Sequence, residues 1–585
     1  MNKKLLISAA FIFAVLMSTS SAMSVLAQGE PFVGGTVTVA SGTDPLTLNP
    51  LTYGSIYEGY IIEFIYDSLI YLDTENNPIP VLCSGWEHSV DNTLWNFTIR
   101  SSAVWHDGIP LTLDDIEYTW NLKLGDAGIP RRSWMFDDLI GITKFPAENK
   151  IQAEFDFSPK DADVLLDFAT GTILPEHIWD SVADIYSFNN EEPIGSGPFV
   201  FEEWEHGQFI RMSRNPNYYL EGPWVEEVIV QLIPSTESQY YALSTGEIEM
   251  MGGPPPELEA LARVDPDIEV HEYYQDYIMY LTMNQRRYPN NVLEFRQAVL
   301  TGINREEIID IARYGRGLPA PASMSLPYGL YYNPDIPTYD YNVAAANALL
   351  DSIGFTDDIG DDGIREDANG TDLSFELMVS AEAQESVDTA KLIQDYMADI
   401  GVEVTLVPIL FDVLWAAVGG PGGTYPGKYD YDWAFLGWVG FWSDFYPNWA
   451  YWMFSADRWW GSDEVNIPGW SGAARDEVTQ LCDDILYTVN ETIIKEKLDE
   501  IQLIVADDLP YIPVNILGGV ALYRTDEFTG YIMGNTTGPD NWQTWLNLHL
   551  IEPEETEKTP AFTIITAVVA VMTTIGTSKL LKRKK

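Results

Sequence analysis

Aromatic side chains are the most informative residues of this sequence, because many of them are concentrated in one segment. Aromatic residues make up 13% of the chain, and eight of its 19 Trp fall within residues 433–470. Several of these rings are expected to belong to the core, but Trp and Tyr carry an N–H or O–H that needs a partner when buried. Small and turn-forming residues separate the rings between Gly437 and Pro447. Since aromatic walls with a few polar groups are typical of small-ligand sites, this segment is predicted to line a binding cleft.

An acidic turn at residues 357–367 is the second candidate for chemistry. Clustered carboxylates can hold calcium through hard oxygen ligands. The EF-hand pattern fails here, because Gly360 stands at a ligand position and Asn369 at the position of the bidentate Glu. We therefore favour a solvated turn, with weak calcium binding as a hypothesis. Its ligands would be Asp358, Asp361 and Asp362.

The remaining motifs give no support for catalysis. The segment from Gly422 to Lys428 has P-loop spacing, but Tyr429 replaces the Ser or Thr that binds magnesium. The six His are scattered, and no H-E-x-x-H, G-x-S-x-G or Cys-x-x-Cys motif occurs. With 88 acidic residues, a carboxylate pair for glycoside hydrolysis is recognisable only from its separation in space. No catalytic residue is predicted, and no cofactor other than the hypothetical calcium.

Local signals along the chain predict both strands and helices. Apolar and polar side chains alternate over residues 95–100, as in a half-buried strand. Two pairs, Thr112 with Asp115 and Asn304 with Glu307, have the spacing of helix N-caps. These signals place helix starts at about residues 113 and 305.

A helix followed by a strand is predicted around residue 400. One helical face is formed by Ile393, Tyr396, Met397 and Ile400. Gly401 then ends the helix, and residues 402–408 are predicted to form an apolar strand. Repeated helix–strand alternation indicates α/β domains with mixed sheets.

The chain is strongly acidic. Its 585 residues include 88 Asp plus Glu and 32 Lys plus Arg, for a formal net charge of −56. Residues 28–578 hold 25 basic against 88 acidic residues, or −63. This balance argues against nucleic acid as a partner and predicts a solvated acidic shell. The length predicts several domains.

The N-terminal end resembles a secretory signal. Two lysines, an apolar run and small residues at positions 25–27 indicate that residues 1–27 are removed on export. The only cysteines, Cys83 and Cys482, are too far apart in sequence for a disulfide framework. They are expected to be small buried residues, and a single bridge between them stays open.

The C-terminal end resembles a membrane anchor. Residues 561–578 contain no charge in 18 positions, near the minimum for a membrane-spanning helix. A basic tail at residues 579–585 follows, as on the cytoplasmic side of a stop-transfer segment. A single-pass protein of the cell membrane is therefore predicted, with its bulk outside the cell.

A series of ordered motifs covers the chain from about residue 35 to residue 547. They include Thr47-Leu-Asn49-Pro50, Trp105-His-Asp107-Gly108, Ile194-Gly-Ser-Gly197-Pro198-Phe199, Arg214-Asn215-Pro216 and Phe295-Arg296-Gln-Ala-Val299. In this order they resemble the extracytoplasmic solute-binding proteins of ABC transporters, family 5, the dipeptide and oligopeptide binders.

The resemblance implies an α/β, two-lobed periplasmic-binding-protein-like fold of type II, with an extra inserted domain. Two crossover strands would join the lobes, which close over the ligand. The expected segments are a first lobe at 28–59, 190–279 and 523–552, an inserted domain at 60–189, a second lobe at 280–522, a stalk at 553–560, a transmembrane anchor at 561–578 and a basic tail at 579–585.

The resemblance also implies a receptor, not an enzyme, that hands its ligand to the permease and ATPase subunits of an ABC importer. In peptide-binding members an Asp after a Gly-Trp pair of the second lobe binds the α-amino group of the peptide, and Asp444 is the nearest match here. Oligosaccharides are the alternative cargo, with Trp side chains as stacking platforms, and a surface hydrolase is a third hypothesis. The expected ligand-contacting side chains are Asn49, Tyr53, Asn284, Trp438, Trp442, Asp444, Tyr446 and Trp449.

Overall fold

The computed structural model describes residues 31–551, with internal gaps. The gaps are residues 76, 127, 131–138, 157–164, 166–167, 170, 358–362, 420–428, 440–448, 457–465, 487 and 489. Between residues 31 and 551, outside those gaps, no helix is long and apolar enough to cross a membrane. The predicted signal at 1–27 and the predicted anchor at 561–578 lie outside the described residues.

Strands are distributed along the whole described chain. They are β1 (Thr36–Ser41), β2 (Ile70–Leu72), β3 (Pro78–Pro80), β4 (Cys83–His88), β5 (Leu94–Ile99), β6 (Leu139–Phe145), β7 (Lys150–Phe155), β8 (Phe199–Glu205), β9 (Phe209–Arg214), β10 (Glu227–Leu232), β11 (Met250–Gly252), β12 (Ile268–Met283), β13 (Gly317–Pro319), β14 (Ser374–Ser380), β15 (Glu403–Ile409), β16 (Trp433–Val439), β17 (Ile512–Arg524), β18 (Phe528–Thr529) and β19 (His549–Leu550).

Helices alternate with these strands, as the sequence pattern predicts. They are α1 (Ile56–Ile65), α2 (Leu113–Gly125), α3 (Glu176–Trp179), α4 (Thr236–Thr245), α5 (Pro256–Ala262), α6 (Leu293–Gly302), α7 (Arg305–Ala312), α8 (Val343–Ser352), α9 (Gln384–Asp399), α10 (Phe411–Ala417), α11 (Trp449–Phe454), α12 (Ala473–Leu486), α13 (Glu491–Asp508) and α14 (Trp542–Asn547), with a 3-10 turn at Pro146–Glu148.

One eleven-stranded sheet runs through the molecule and defines two lobes. Its order is β15-β14-β16-β12-β17-β11-β1-β10-β9-β8, and β13 also pairs with β17. The long antiparallel strands β12 and β17 lie between the two groups, so they are the crossover strands. Their register shifts between Tyr274 and Ile278, where the ladder passes from one lobe to the other. The α/β, two-lobed architecture is therefore confirmed.

The crossover strands carry apolar side chains on both faces where they enter the second lobe. Met279 and Leu281 belong to one buried cluster, and Ile278 and Tyr280 to another. Because successive side chains of a strand point to opposite faces, helices must cover both faces of this sheet. The two cores hold the strands rigidly on the second-lobe side of the register shift.

The predicted helix and strand around residue 400 are both confirmed. The apolar face of α9 is fully or nearly fully buried in the second-lobe core, and α9 ends before Gly401, whose φ is +75°. β15 then pairs with β14 in parallel. The connection β14–α9–β15 is a βαβ unit, which places its helix against the sheet.

A separate four-stranded sheet, in the order β4-β5-β7-β6, packs against α2. The predicted alternation is confirmed in β5, where Trp95, Phe97 and Ile99 are buried in its core. Thr112 and Asp115 form the predicted capping box of α2. This sheet lies within the segment expected to be inserted in the first lobe; the domain boundaries themselves stay predictions.

The two cysteines are free and buried. Cys83 lies in the core of the four-stranded sheet, and Cys482 in the core of the second lobe. Burial raises the pKa of the Cys83 thiol from 9.0 to about 12. The two side chains are thus small core residues, and the structure contains no bridge between them.

Candidate ligand-binding site

A cavity of about 290 Å³ opens in the first lobe, between α1, β2 and the segment that leads into α14. A smaller recess between Tyr60, Glu63 and Asp540 adjoins it and shares residues with it. The two are contributed by parts of the chain that are more than 460 residues apart. The cavity is lined mainly by Tyr53, Ile62, Glu63, Tyr66, Asp67, Tyr71, Asn541 and Trp542.

Helix α1 supplies one wall of the cavity. One of its faces is apolar, and the opposite face carries two tyrosines and a glutamate. Ser55 and Glu58 form a capping box that fixes its start. Its inner face is buried in the first-lobe core. Tyr57, Tyr60 and Glu63 follow one another at intervals of three, so they share the opposite face. Tyr57 and Tyr60 remain exposed, with relative exposures of 37% and 45%.

Asp67 is the most deeply buried carboxylate of the site, with a relative exposure of 3%. Its Oδ2 accepts a hydrogen bond from the Tyr219 hydroxyl at 2.6 Å, and its Oδ1 one from Tyr218 at 3.3 Å. Burial raises the pKa of this carboxyl from 3.8 to about 7, and the hydrogen bonds only partly oppose that shift.

Glu63 and Asp540 face the open part of the site and stay accessible to solvent. Glu63 accepts a hydrogen bond from the Tyr71 hydroxyl at 3.0 Å, and Asp540 one from the indole N–H of Trp545 at 3.1 Å. The surrounding protein raises the pKa of Glu63 to about 7 and that of Asp540 to about 6. For Glu63 the nearby charge of Asp540 adds to the rise.

The site lies beside the crossover strands. The backbone N–H of Tyr274 on β12 donates to the carbonyl of Asn535 at 2.7 Å, which ties the segment before α14 to β12. A Cβ added at Gly538 would lie 3.4 Å from the Tyr273 ring. One wall of the site therefore borders the strands about which the lobes would move.

The second lobe contacts the same stretch of β12. The Tyr328 ring stacks on Tyr274, with a centroid separation of 5.7 Å and an interplanar angle of 15°. The Tyr328 hydroxyl also donates to the carbonyl of Gln275 at 3.1 Å. The hinge region is thus bordered by aromatic side chains from both lobes.

Three predicted site residues, Asn49, Tyr53 and Asn284, lie in the described part of the chain, and only one of them lines the cavity. Tyr53 lines the cavity. Asn49 is fully buried, and its amide donates to the carbonyls of Ile185 and Phe188. Asn284 is also buried, and its amide donates to carbonyls of residues 429 and 431. Both Asn side chains are occupied in holding loops together, and neither presents a surface to the cavity.

The residues predicted for the aromatic segment of the second lobe lie mostly outside the described chain. Trp438 is half-buried on β16, opposite Ile278 of β12, and packs against a second-lobe core. Trp442, Asp444 and Tyr446 fall within the gap at 440–448, and the side chain of Trp449 is likewise outside the described part. Their contact with ligand stays a prediction.

The hypothetical calcium ligands Asp358, Asp361 and Asp362 also fall in a gap of the described chain. Among the described residues, no three or more His, Cys, Asp or Glu side chains are grouped closely enough to hold a metal ion. Calcium binding therefore stays an untested prediction.

The carboxylates Glu63, Asp67 and Asp73 of the cavity, and Asp540 of the recess, are absent from the predicted set. Glu63 and Asp67 did carry a signal, because they interrupt an otherwise apolar run at residues 61–71 and are four positions apart. Asp540 carries no comparable signal, since it follows a Gly-Pro turn like many surface acids. Only the fold shows that these side chains share one site.

The fold is that of a two-lobed binding protein, with a candidate site beside one of the strands that join the lobes. Residues 77–461 match the family model described as bacterial extracellular solute-binding proteins, family 5 Middle. Since the match spans more than half of the chain, the chain belongs to this family. It is a substrate-binding receptor of the type that serves ABC importers.

Individual relatives agree with this assignment. The chain is 27% identical over 445 residues to the oligopeptide-binding protein AppA of Bacillus subtilis, covering 74% of this chain and 79% of that protein. It is 26% identical over 412 residues to the nickel-binding periplasmic protein of Escherichia coli, covering 68% and 74%. The solved structure of B. subtilis AppA in complex with a nonapeptide superimposes with a TM-score of 0.68 at 23% identity, over 89% of this chain and 100% of that one. At 23% identity, this superposition is evidence that the two proteins share a fold.

Proposed function

We propose that this receptor captures peptides between its lobes and delivers them to the permease of an ABC importer. The observation that carries the proposal is the first-lobe cavity, which is lined by tyrosine rings and carboxylates. The segment that leads from it into α14 is hydrogen-bonded to β12, one of the two strands that join the lobes. Clefts between domains are common ligand sites. The relatives named for oligopeptides and for D,D-dipeptides support a peptide as cargo.

Calorimetry on the purified full chain tests the cargo. Peptides of three to nine residues are expected to give saturable heat, and oligosaccharides of comparable length none. Saturable binding of the sugars alone would replace the peptide assignment with the oligosaccharide alternative. Conversion of the added ligand into products, followed by mass spectrometry, would instead indicate a hydrolase.

Asp444 is proposed as the second-lobe partner of the peptide's α-ammonium. A charge-assisted hydrogen bond of this kind is among the strong polar contacts of proteins. Asp444→Asn is therefore expected to lower the affinity for peptides with a free α-amino group about tenfold. Asp310→Asn is the matched control, since Asp310 is exposed on α7 of the same lobe. Equal affinities for wild type and Asp444→Asn would remove this role from Asp444.

We also propose that residues 561–578 tether the receptor to the membrane after export. Their uncharged run and the basic tail that follows support this proposal. The full chain is expected to stay with carbonate-washed membranes, and a chain ending at residue 560 to be released. Release of both chains would remove the tether.

Calcium binding at the acidic turn of residues 357–367 is proposed only as a weak interaction. The carboxylate content of this turn supports it. Calcium titration of the full chain should then raise the melting temperature and give measurable heat. A titration without either signal would end the hypothesis.

A further inference from the structure

The cavity of the first lobe and the recess beside it are bordered by carboxylates from two distant parts of the chain, and Asp73 at the cavity edge accepts hydrogen bonds from residues 75 and 77. Glu63 and Asp67 come from α1 and its C-terminal end, and Asp540 from the turn before α14. Glu63 borders both the cavity and its adjoining recess, so it links the other two. Asp67 thus borders the cavity, Asp540 the recess, and Glu63 both.

None of these carboxylates has a cationic partner among the described residues. Their hydrogen-bond donors are neutral: the hydroxyls of Tyr71, Tyr218 and Tyr219 and an indole N–H. A carboxylate enclosed by protein is costly to keep ionised unless an opposite charge or several donors compensate. Asp67 in particular lines the cavity although only 3% of its surface is exposed. No described side chain of the site therefore supplies a positive charge opposite these carboxylates.

Aromatic rings form a second and independent feature of the same space. Tyr53, Tyr66 and Tyr71 line it, and the Tyr71 ring stacks on Trp542 with a centroid separation of 4.9 Å and an interplanar angle of 27°. Tyr60 lies at the rim and remains exposed. The faces of Tyr and Trp rings attract cations, and cages of such rings hold ammonium groups.

The arrangement suits an organic cation better than a metal ion. A metal ion needs several ligand atoms at about 2–2.6 Å from one point. The described carboxylates do not converge in that way; Glu63 and Asp67 border a space of about 290 Å³, and Asp540 borders the recess beside it. An ammonium or guanidinium group on a carbon chain can fill such a space, donate hydrogen bonds to more than one carboxylate and lie against the rings.

We propose that this first-lobe cavity binds a positively charged organic group of the ligand, a primary ammonium or a guanidinium. The inference rests on the proposed peptide-binding function and makes it more specific. In a peptide the group is the side chain of a Lys or Arg residue if Asp444 binds the α-ammonium, and the α-ammonium itself if Asp444 does not. The two sources share the same chemistry, and the experiment separates them.

The test is calorimetry on the purified full chain with four probes. Trialanine carries only an α-ammonium, N-acetyl-trialanine has none, N-acetyl-Ala-Lys-Ala carries only a side-chain ammonium, and putrescine is a cation without a peptide. The variant is the double substitution Glu63→Gln and Asp540→Asn, which keeps shape and hydrogen-bond acceptors. Glu247→Gln is the matched control, since Glu247 is exposed in the same lobe. Melting temperatures verify that each variant is folded.

Wild type and the control are expected to bind at least one of the two charged peptides about tenfold more tightly than N-acetyl-trialanine. Whichever peptide is preferred identifies the source of the charge. In the double variant the preference should fall below about threefold, with the affinity for N-acetyl-trialanine unchanged. Equal binding of charged and uncharged peptides by wild type, or an undiminished preference in the double variant, would overturn the cation site while leaving a peptide receptor.

Putrescine decides the remaining case, in which no peptide binds. Putrescine binding that is lost in the double variant would retain the cation site and refute the peptide cargo. Absence of putrescine binding together with absence of peptide binding would overturn both proposals.

Discussion

The ionisation of Asp67 should make the stability of the first lobe depend on pH in a defined direction. The substitution that isolates this effect is Asp67→Asn, which resembles the protonated acid in size and leaves an acceptor for Tyr219. Asp67 is almost completely buried, so its charged form loses most of its hydration on folding. Burial accordingly raises its pKa from 3.8 to about 7.

The magnitude follows from the size of this shift. A difference of about 3 pH units between the unfolded and folded pKa corresponds to about 4 kcal/mol. Because the folded pKa is the higher one, the stabilising contribution is full below about pH 4 and is lost as the pH rises through about 7. Between pH 5 and pH 8 the wild-type protein should therefore lose about 3 kcal/mol relative to Asp67→Asn.

Urea unfolding at several pH values between 5 and 8 measures this difference. The lower limit stays above the acidic isoelectric region that a net charge of −56 implies, where the protein would precipitate. Other titrating groups cancel, since only the difference between wild type and variant is used. Asp310→Asn, an exposed substitution, should show no pH-dependent difference. A wild-type to Asp67→Asn difference that varies by less than about 1 kcal/mol over this range would refute the desolvation argument.

Three further predictions concern packing and thiols. A Cβ at Gly195 would lie 1.8 Å from the carbonyl oxygen of Ile65, the last residue of α1. Gly195→Ala should therefore lower the free energy of unfolding by about 1–3 kcal/mol and displace the helix that carries Glu63. A Cβ at Gly125 would have no neighbouring atom within 4 Å, so Gly125→Ala should change the free energy of unfolding by less than about 1 kcal/mol. Similar urea midpoints for the two variants would contradict the close approach of Gly195 to α1. Arg296 is buried and donates to both the carboxylate and the carbonyl of Asp508, so Arg296→Met should lower the free energy of unfolding by about 3 kcal/mol, and a loss under about 1 kcal/mol would show that the pair is dispensable. The two buried thiols should react with a thiol reagent only after denaturation; rapid reaction in native buffer would show that one of them is accessible.

Individual helices and strands could be predicted from the sequence alone. The alternation in β5, the capping box before α2 and the buried face of α9 were all predicted from spacing, because a strand repeats every two residues and a helix about every 3.6. The two-lobed fold, in contrast, was expected only through the family resemblance that the ordered motifs carry; the helix and strand signals are local. These features depend on neighbours within a few residues, so a linear pattern contains them.

Which side chains line the candidate site could be learned only from the three-dimensional fold. Asn49 and Asn284 lie in conspicuous segments, yet burial and carbonyl partners commit their amides to loops. Glu63 and Asp67, in contrast, line a cavity whose adjoining recess is bordered by Asp540, a residue more than 470 positions further along the chain. That meeting depends on the return of the chain through β17 to the first lobe and on the packing of α14 beside α1. The raised pKa of Asp67 arises from its enclosure, because desolvation is a property of the surrounding fold and not of the local sequence.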